Sequence, residues 1–283
     1  MSGLFPKSTD ADESRPAVCR PRRHAAWSTF ALFAFLALAT PWAFAADECA
    51  DGLKAKGSSP DEAAQFDRGT SAFRAGDNAA AFESWKPLAD NGNCLAQFNV
   101  GTMYLNGRGV SPNVHVALDW FRKAAEQGQR MAQFNLAEGY RVGTDIPKDG
   151  AQAIHWYAKA ADQGLAVAQR FLAIAYDTGD GVQQDFGKAV TYYRLAAEQG
   201  DKCAQYNLGR MYAFGRGVPR DKVLAYFHVS TAASGCAQAK ESAAMIAAKM
   251  TTDQMAETRQ MIDAWKPGSP FPQSSATGQD ARP

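Results

Sequence analysis

Between about residues 60 and 266, short apolar stretches at helical spacing alternate with glycine-ended polar turns, and the pattern returns every 36 residues. The pair Ala-Gln falls at Ala96-Gln97, Ala132-Gln133, Ala168-Gln169 and Ala204-Gln205. Tyr104, Tyr140, Tyr176 and Tyr212 keep the same step, as do Gly107, Gly143, Gly179 and Gly215. So do the alanine pairs at 124-125, 160-161, 196-197 and 232-233. A register shared by so many slots means one structural unit used several times.

Each unit reads as two helices. Helix A of the best-kept unit spans about Ala96 to Leu105, and Gly107 follows where a left-handed residue ends a helix. After the loop Arg108 to Pro112, Asn113 can accept hydrogen bonds from the open amides of helix B; Asp149, Asp185 and Asp221 hold the same slot. Helix B runs to about Gln127 and stops at Gly128, as later units stop at Gly164, Gly200 and, one residue early, Gly235. The paired alanines, with Ala117, Ala153, Ala189 and Ala225 before them, allow close helix approach while Tyr and Trp fill the remaining space.

Flanking segments extend the array. Ser59-Pro60-Asp61-Glu62 carries a capping box with proline in the first turn, and it opens a helix pair at about 60–75 and 78–91. Ala237-Gln238 begins one more helix A. Thr251 with Gln254 then caps a last helix reaching about Trp265, whose polar face of Asp253, Glu257, Arg259 and Asp263 suits the end of a repeat stack. The units fall at about 60–91, 92–128, 129–164, 165–200 and 201–235, with a cap at 236–266. Residues 267–283, rich in Pro, Ser, Gly and Gln, are expected to be disordered.

The N-terminus reads differently. Arg20, Arg22 and Arg23 precede an uncharged run from Ala25 to Ala39, and Ala43-Phe44-Ala45 offers small residues at alternate positions. Residues 1–45 are therefore expected to be an export signal cleaved after Ala45, followed by a linker at 46–58, which directs the protein to the periplasm or outside the cell. An uncleaved signal anchor is the alternative. A twin-arginine signal fits less well, because His24-Ala25-Ala26 does not continue that motif, and no lipobox precedes Cys49.

Composition narrows the function. The chain has 283 residues, 46% apolar and 21% charged, with 30 Lys and Arg against 29 Asp and Glu. A near-neutral balance argues against a nucleic-acid partner, which needs concentrated basic charge.

The unit Ala132-Gln133-Phe134-Asn135-Leu136 through Tyr140, continued by Ile154-His155-Trp156-Tyr157-Ala158-Lys159-Ala160-Ala161-Asp162-Gln163-Gly164, resembles the Sel1-like repeat. So does Ala204-Gln205-Tyr206-Asn207-Leu208-Gly209-Arg210-Met211-Tyr212 with Gly215-Arg216-Gly217-Val218. The resemblance covers about residues 60 to 250 and implies an all-α fold: a right-handed α/α superhelical solenoid of tetratricopeptide-like hairpins, helix A on the concave side. Three features depart from the pattern. Gly101 and Gly209 become Ala137 and Ala173, the glycine at 109 becomes Asp145, and the first unit has the short loop Gly76-Asp77.

Catalytic chemistry finds little support. His115, His155 and His228 occupy three different slots of three units, so no zinc site is expected, and His228 reads as a packed ring in the slot of Trp120, Trp156 and Tyr192. The Gly-Arg-Gly-Val stretches recur at matching loop positions and read as turns rather than phosphate loops. Some secreted relatives are connected with penicillin binding and β-lactam hydrolysis, yet no Ser-x-x-Lys, Ser-Asp-Asn or Lys-Thr-Gly motif occurs. No enzyme activity and no cofactor are expected; a cell-wall hydrolase or peptidoglycan- or polysaccharide-binding factor is the alternative.

Beyond the leader, Cys49, Cys94, Cys203 and Cys236 permit three full pairings. Cys203 with Cys236 and Cys49 with Cys94 is the pairing favoured, with unpaired thiols as the alternative. Helix A slots that vary between units are the expected binding groove: Thr102, Glu138, Ile174 and Arg210 in one row, Leu105, Arg141, Asp177 and Ala213 three residues on, and Phe214 beside them. The expected function is an exported scaffold that binds a protein partner in this groove. The resemblance implies roles such as binding the outer domain of a membrane sensor, assisting envelope assembly or meeting host proteins.

Overall fold

The structure, a computed structural model, describes residues 59–143 and 146–274. The expected leader and its cleavage point, the linker with Cys49, and Asp145 lie outside the described residues. Within them are twelve α-helices and no strand, in two compact units that divide between Gln163 and Gly164. The first unit holds α1 (Pro60–Arg74), α2 (Asn78–Asp90), α3 (Cys94–Asn106), α4 (Val114–Glu126), α5 (Arg130–Val142) and α6 (Gly150–Asp162). The second holds α7 (Ala166–Thr178), α8 (Phe186–Glu198), α9 (Lys202–Phe214), α10 (Lys222–Ala232), α11 (Ala239–Ala247) and α12 (Thr252–Ala264). In each unit successive helices pack on one another as far as α11, and α12 returns to α10. These are the repeated helix hairpins of an α/α solenoid, the fold class the 36-residue period requires.

Local chemistry sets the helix boundaries. Asn113, Asp149, Asp185 and Asp221 each accept a hydrogen bond from a first-turn amide of helix B. Their own backbone amides donate to the carbonyls of Tyr104, Tyr140, Tyr176 and Tyr212 at 2.9 to 3.1 Å, which closes each loop onto the end of helix A. The capping boxes at Ser59 and Thr251 both form. Gly217 shows why the loop needs glycine. Its φ is +69°, and a Cβ there would stand 2.4 Å from the Phe186 carbonyl oxygen, so the loop lies directly on the first turn of α8.

Hairpins are joined to their neighbours by buried amides. Gln97 Nε2 donates to the Ala89 carbonyl at 3.1 Å, and Gln127 Nε2 donates to Gln97 Oε1 at 2.7 Å. The same relay recurs with Gln133, Ala125 and Gln163. In the second unit Gln199 Nε2 donates to Gln169 Oε1, and Gln205 Nε2 donates to the Ala197 carbonyl. A helix leaves its last carbonyls without intrahelical donors. Gln97, Gln133 and Gln205 each supply a donor to the helix before them, and in the first unit the glutamine that ends helix B holds that side chain in place.

Small residues let the backbones come close enough for this relay. Ala124, Ala160, Ala196 and Ala232 have no exposed surface. The second unit's core gathers Tyr193, Tyr206, Leu208, Met211 and Phe227 with Ala196 and Ala232.

One sequence expectation is corrected. Cys203 and Cys236 are both reduced thiols, so the expected bridge between them is not formed. Equivalent slots of neighbouring helices stand about 8–10 Å apart, beyond the reach of a disulfide, and the shortened last hairpin does not close that gap. Cys236 instead donates to Gln238 Oε1 at 3.4 Å. Cys94 is disulfide-bonded, with its partner outside the described residues. Of the tail expected to be disordered, only the part up to Ser274 falls within the described residues, and there some of its groups make contacts. The Gly268 amide donates to the Glu198 carbonyl at 2.7 Å, Phe271 stacks on Trp265, and Ser274 is buried.

Replacing Ala196, which has no exposed surface, by leucine is expected to cost about 1–3 kcal/mol through overpacking. Thermal or urea unfolding checks this, and an unchanged midpoint would contradict the packing described.

Candidate functional site

In the first unit, Thr102 and Leu105 on α3 are half-buried, and the Thr102 hydroxyl donates to the Phe98 carbonyl of its own helix. On α5, Glu138 and Arg141 meet one turn apart as their spacing requires. Arg141 Nε and Nη2 donate to the two Glu138 carboxylate oxygens, each at 2.8 Å. Glu138 is only 7% exposed and also accepts from the Tyr157 hydroxyl of α6. The hydrogen bond to Glu138 keeps the Arg141 guanidinium firmly protonated. Burial, followed by the Glu138 charge, pushes the Tyr157 hydroxyl well above its usual pKa. These groups form a knot inside one hairpin, so the Glu138 charge is spent on structure.

The second unit repeats the device with its acid one turn later. Asp177 on α7 is buried, and the Tyr193 hydroxyl of α8 donates to its Oδ2 at 3.4 Å. Burial raises the pKa of Asp177 against the opposing charges of Arg210 and Arg216. The Tyr193 hydroxyl is raised too, by burial first and by Asp177 second. Ile174 is half-buried against the core, Arg210 is buried, and Ala213 is buried and offers no binding surface. Phe214 differs from the rest. It is 41% exposed at the C-terminus of α9, and the Arg216 guanidinium lies 5.5 Å from its ring centre.

A coupling between helices A and B escaped the slot-by-slot sequence reading. Tyr157 and Tyr193 share one slot of helix B, held elsewhere by Phe121 and Val229. Where that slot is tyrosine, helix A carries an acid for its hydroxyl and an alanine at 137 or 173. Where it is Phe121 or Val229, helix A carries Gly101 or Gly209 and no acid, and a Cβ on either glycine would stand 2.8 Å from Phe121 or 2.6 Å from Val229. The departures at Ala137 and Ala173 and the charges at Glu138 and Asp177 are therefore one adaptation. Comparing the two helices position by position would have found it.

Of the histidines, His115 and His155 are exposed in the first unit, and His228 is buried in the second. His228 stacks on Tyr212 at 5.6 Å and 5°, as Tyr192 stacks on Tyr176 one unit earlier. Burial, with the Arg194 charge second, lowers its pKa to about 3, so the ring is neutral at physiological pH. Among the described residues no group of three or more His, Cys, Asp or Glu side chains could hold a metal ion, and no helix is long and apolar enough to cross a membrane.

Helix hairpins that bury Glu138, Asp177 and Arg210 and leave Phe214 exposed define a helical-repeat protein that offers surface for binding. The comparisons name it more closely. The Sel1 repeat model matches residues 94–129, 130–165, 166–201 and 204–235. A Sel1 repeat protein from Oxalobacter formigenes is 35% identical with a TM-score of 0.57, over 60% of this chain and 68% of its own. The c5321 protein, a protective antigen of uropathogenic Escherichia coli with an SLR fold, is 28% identical with a TM-score of 0.49 over 71% of this chain; the chain spans about half of it, 52%. No curated protein matches the sequence. The chain belongs to the Sel1 repeat family, whose members are typically protein–protein interaction scaffolds and generally not catalytic.

The lowered pKa of His228 has a measurable consequence. Between its ordinary value of 6.5 and about 3, the unfolded chain binds a proton that the folded chain does not, so stability falls as pH drops through that window. Urea unfolding of His228→Phe across it is expected to give a shallower acid decline than the parent protein. Parallel curves would contradict the burial of a neutral ring.

Proposed function

We propose that the protein is an exported scaffold that captures a protein partner through the C-terminal end of α9, with Phe214 as the apolar anchor and Arg216 beside it setting charge preference. The observation that carries this reading is the exposure of Phe214 at 41%, in a fold that buries most of its other large apolar side chains. An exposed aromatic with a guanidinium against it is the kind of pair that concentrates binding energy in an interface. Export rests on the N-terminal pattern of arginines, apolar run and Ala43-Phe44-Ala45. Within this reading Asp177 and Arg210 act from beneath, holding α7 and α9 so that the surface keeps its shape. Glu138 and Arg141 do the same for α5 and α6, and Thr102, Leu105 and Ile174 complete the A-helix rows around them. Partners of the proposed kind are the outer domain of a membrane sensor or an envelope assembly factor.

A photocrosslinking amino acid placed at position 214 in the producing cell tests the proposal. It is expected to yield a discrete adduct in the exported fraction, while the same group at Leu195, an equally exposed apolar position on α8, yields none. Adducts at 195 alone, or none at either position, would contradict the assignment.

A further inference from the structure

The segment after α12 does more than end the chain. Residues Pro270, Phe271 and Pro272 lie across the second unit, and Phe271 fits among three rings. It stacks on Trp265 at 5.3 Å and 23°, and meets His228 edge-on at 4.5 Å and Phe227 at 6.1 Å. The segment is pinned at its start, because the Gly268 amide reaches the Glu198 carbonyl and Trp265 Nε1 donates to the Ser269 carbonyl at 3.1 Å. Two prolines fix φ on either side of the aromatic ring, which holds the segment extended and lowers the entropy lost on docking.

Beside the segment is a cavity of about 720 Å³ whose walls include Arg194, Tyr212, Arg220, Asp221 and His228. Two polar atoms of this wall are buried without a hydrogen-bond partner among the described residues: Asp221 Oδ2 and His228 Nδ1. Asp221 is 4% exposed and His228 1%. Buried polar atoms ordinarily have partners. The carboxylate oxygen can only accept, and an extended peptide carries backbone N–H donors along its length. The site thus has an aromatic half filled by the chain's own Phe271 and a polar half that its own segment does not satisfy.

We propose that this face of α8, α9 and α10 is a docking groove for an extended Pro–aromatic–Pro segment, held in cis by Pro270-Phe271-Pro272 and opened when a segment of the same chemistry displaces it. This proposal does not rest on the Phe214 reading and is tested without knowing that surface's partner. Short tethers give effective concentrations in the millimolar range, so the tail suppresses binding of a micromolar competitor while remaining exchangeable.

The probe is a fluorescent synthetic peptide of residues 266–275, titrated into the purified protein and into its Phe271→Ser variant with fluorescence anisotropy as the readout. The variant is expected to bind at least tenfold more tightly than the parent, and a peptide carrying serine in place of Phe271 is expected to lose that binding. Equal affinity for parent and variant, equal binding of both peptides, or no binding to a folded variant would overturn the proposal. If the variant does not fold, hydrogen exchange on the parent decides the matter. Excess unlabelled peptide is expected to remove the protection of the Gly268 amide, and undiminished protection would refute displacement.

Discussion

The structure depends on satisfying the last carbonyls of each helix B where the next hairpin begins. A helix end that is buried cannot rely on water. Gln97, Gln133 and Gln205 reach back by eight residues to the Ala89, Ala125 and Ala197 carbonyls; Gln127 and Gln163 hold the first two, and Lys202 donates to the third. This requirement explains why alanine precedes each glutamine, since a larger side chain would hold the helices beyond hydrogen-bonding distance. It also explains why glycine follows helix B, where the chain must turn at once so that the next helix can present its glutamine.

With the hairpin junctions fixed in this way, variation is confined to what the helices place between and outside them. The tyrosine of helix B either finds an acid on helix A or is replaced by an apolar residue facing glycine. Charges at Glu138 and Asp177 that resemble a binding surface in sequence are for that reason structural. The surfaces proposed for recognition lie outside this constraint: Phe214 at a helix end and the ring cluster where the tail meets α10. The neutral His228 is stacked on Tyr212 as Tyr192 is on Tyr176, and it is also part of the wall against which Phe271 lies.

Most of the fold was legible in the sequence because periodicity, capping residues and glycine stops report local backbone requirements. Asn113, Asp149, Asp185 and Asp221 could be assigned as caps from chemistry alone, and Ser59 and Thr251 as capping boxes. What resisted was whatever depends on contact between elements. Glu138, Arg141, Asp177 and Arg210 fall in the two variable slots of helix A, but helical spacing says nothing about whether Tyr157 or Tyr193 stands opposite and covers the charge. Pro270 to Ser274 has the composition of a disordered tail, and only the rings of Phe227, His228 and Trp265, brought together by α10 and α12, give Phe271 a place to dock. The equivalence of Cys203 and Cys236 was visible too, and it is this equivalence, with the spacing between neighbouring helices, that keeps them apart.

The dependence on the glutamine relay is tested most directly by a double-mutant cycle on Gln133 and Gln163, following urea unfolding of Gln133→Leu, Gln163→Leu and the pair. Removing either partner strands the other, so the account predicts that the double substitution costs less than the two singles added together, by about 1 kcal/mol or more. Additive losses would show that the two amides do not act as a unit and would contradict the relay as the link between hairpins.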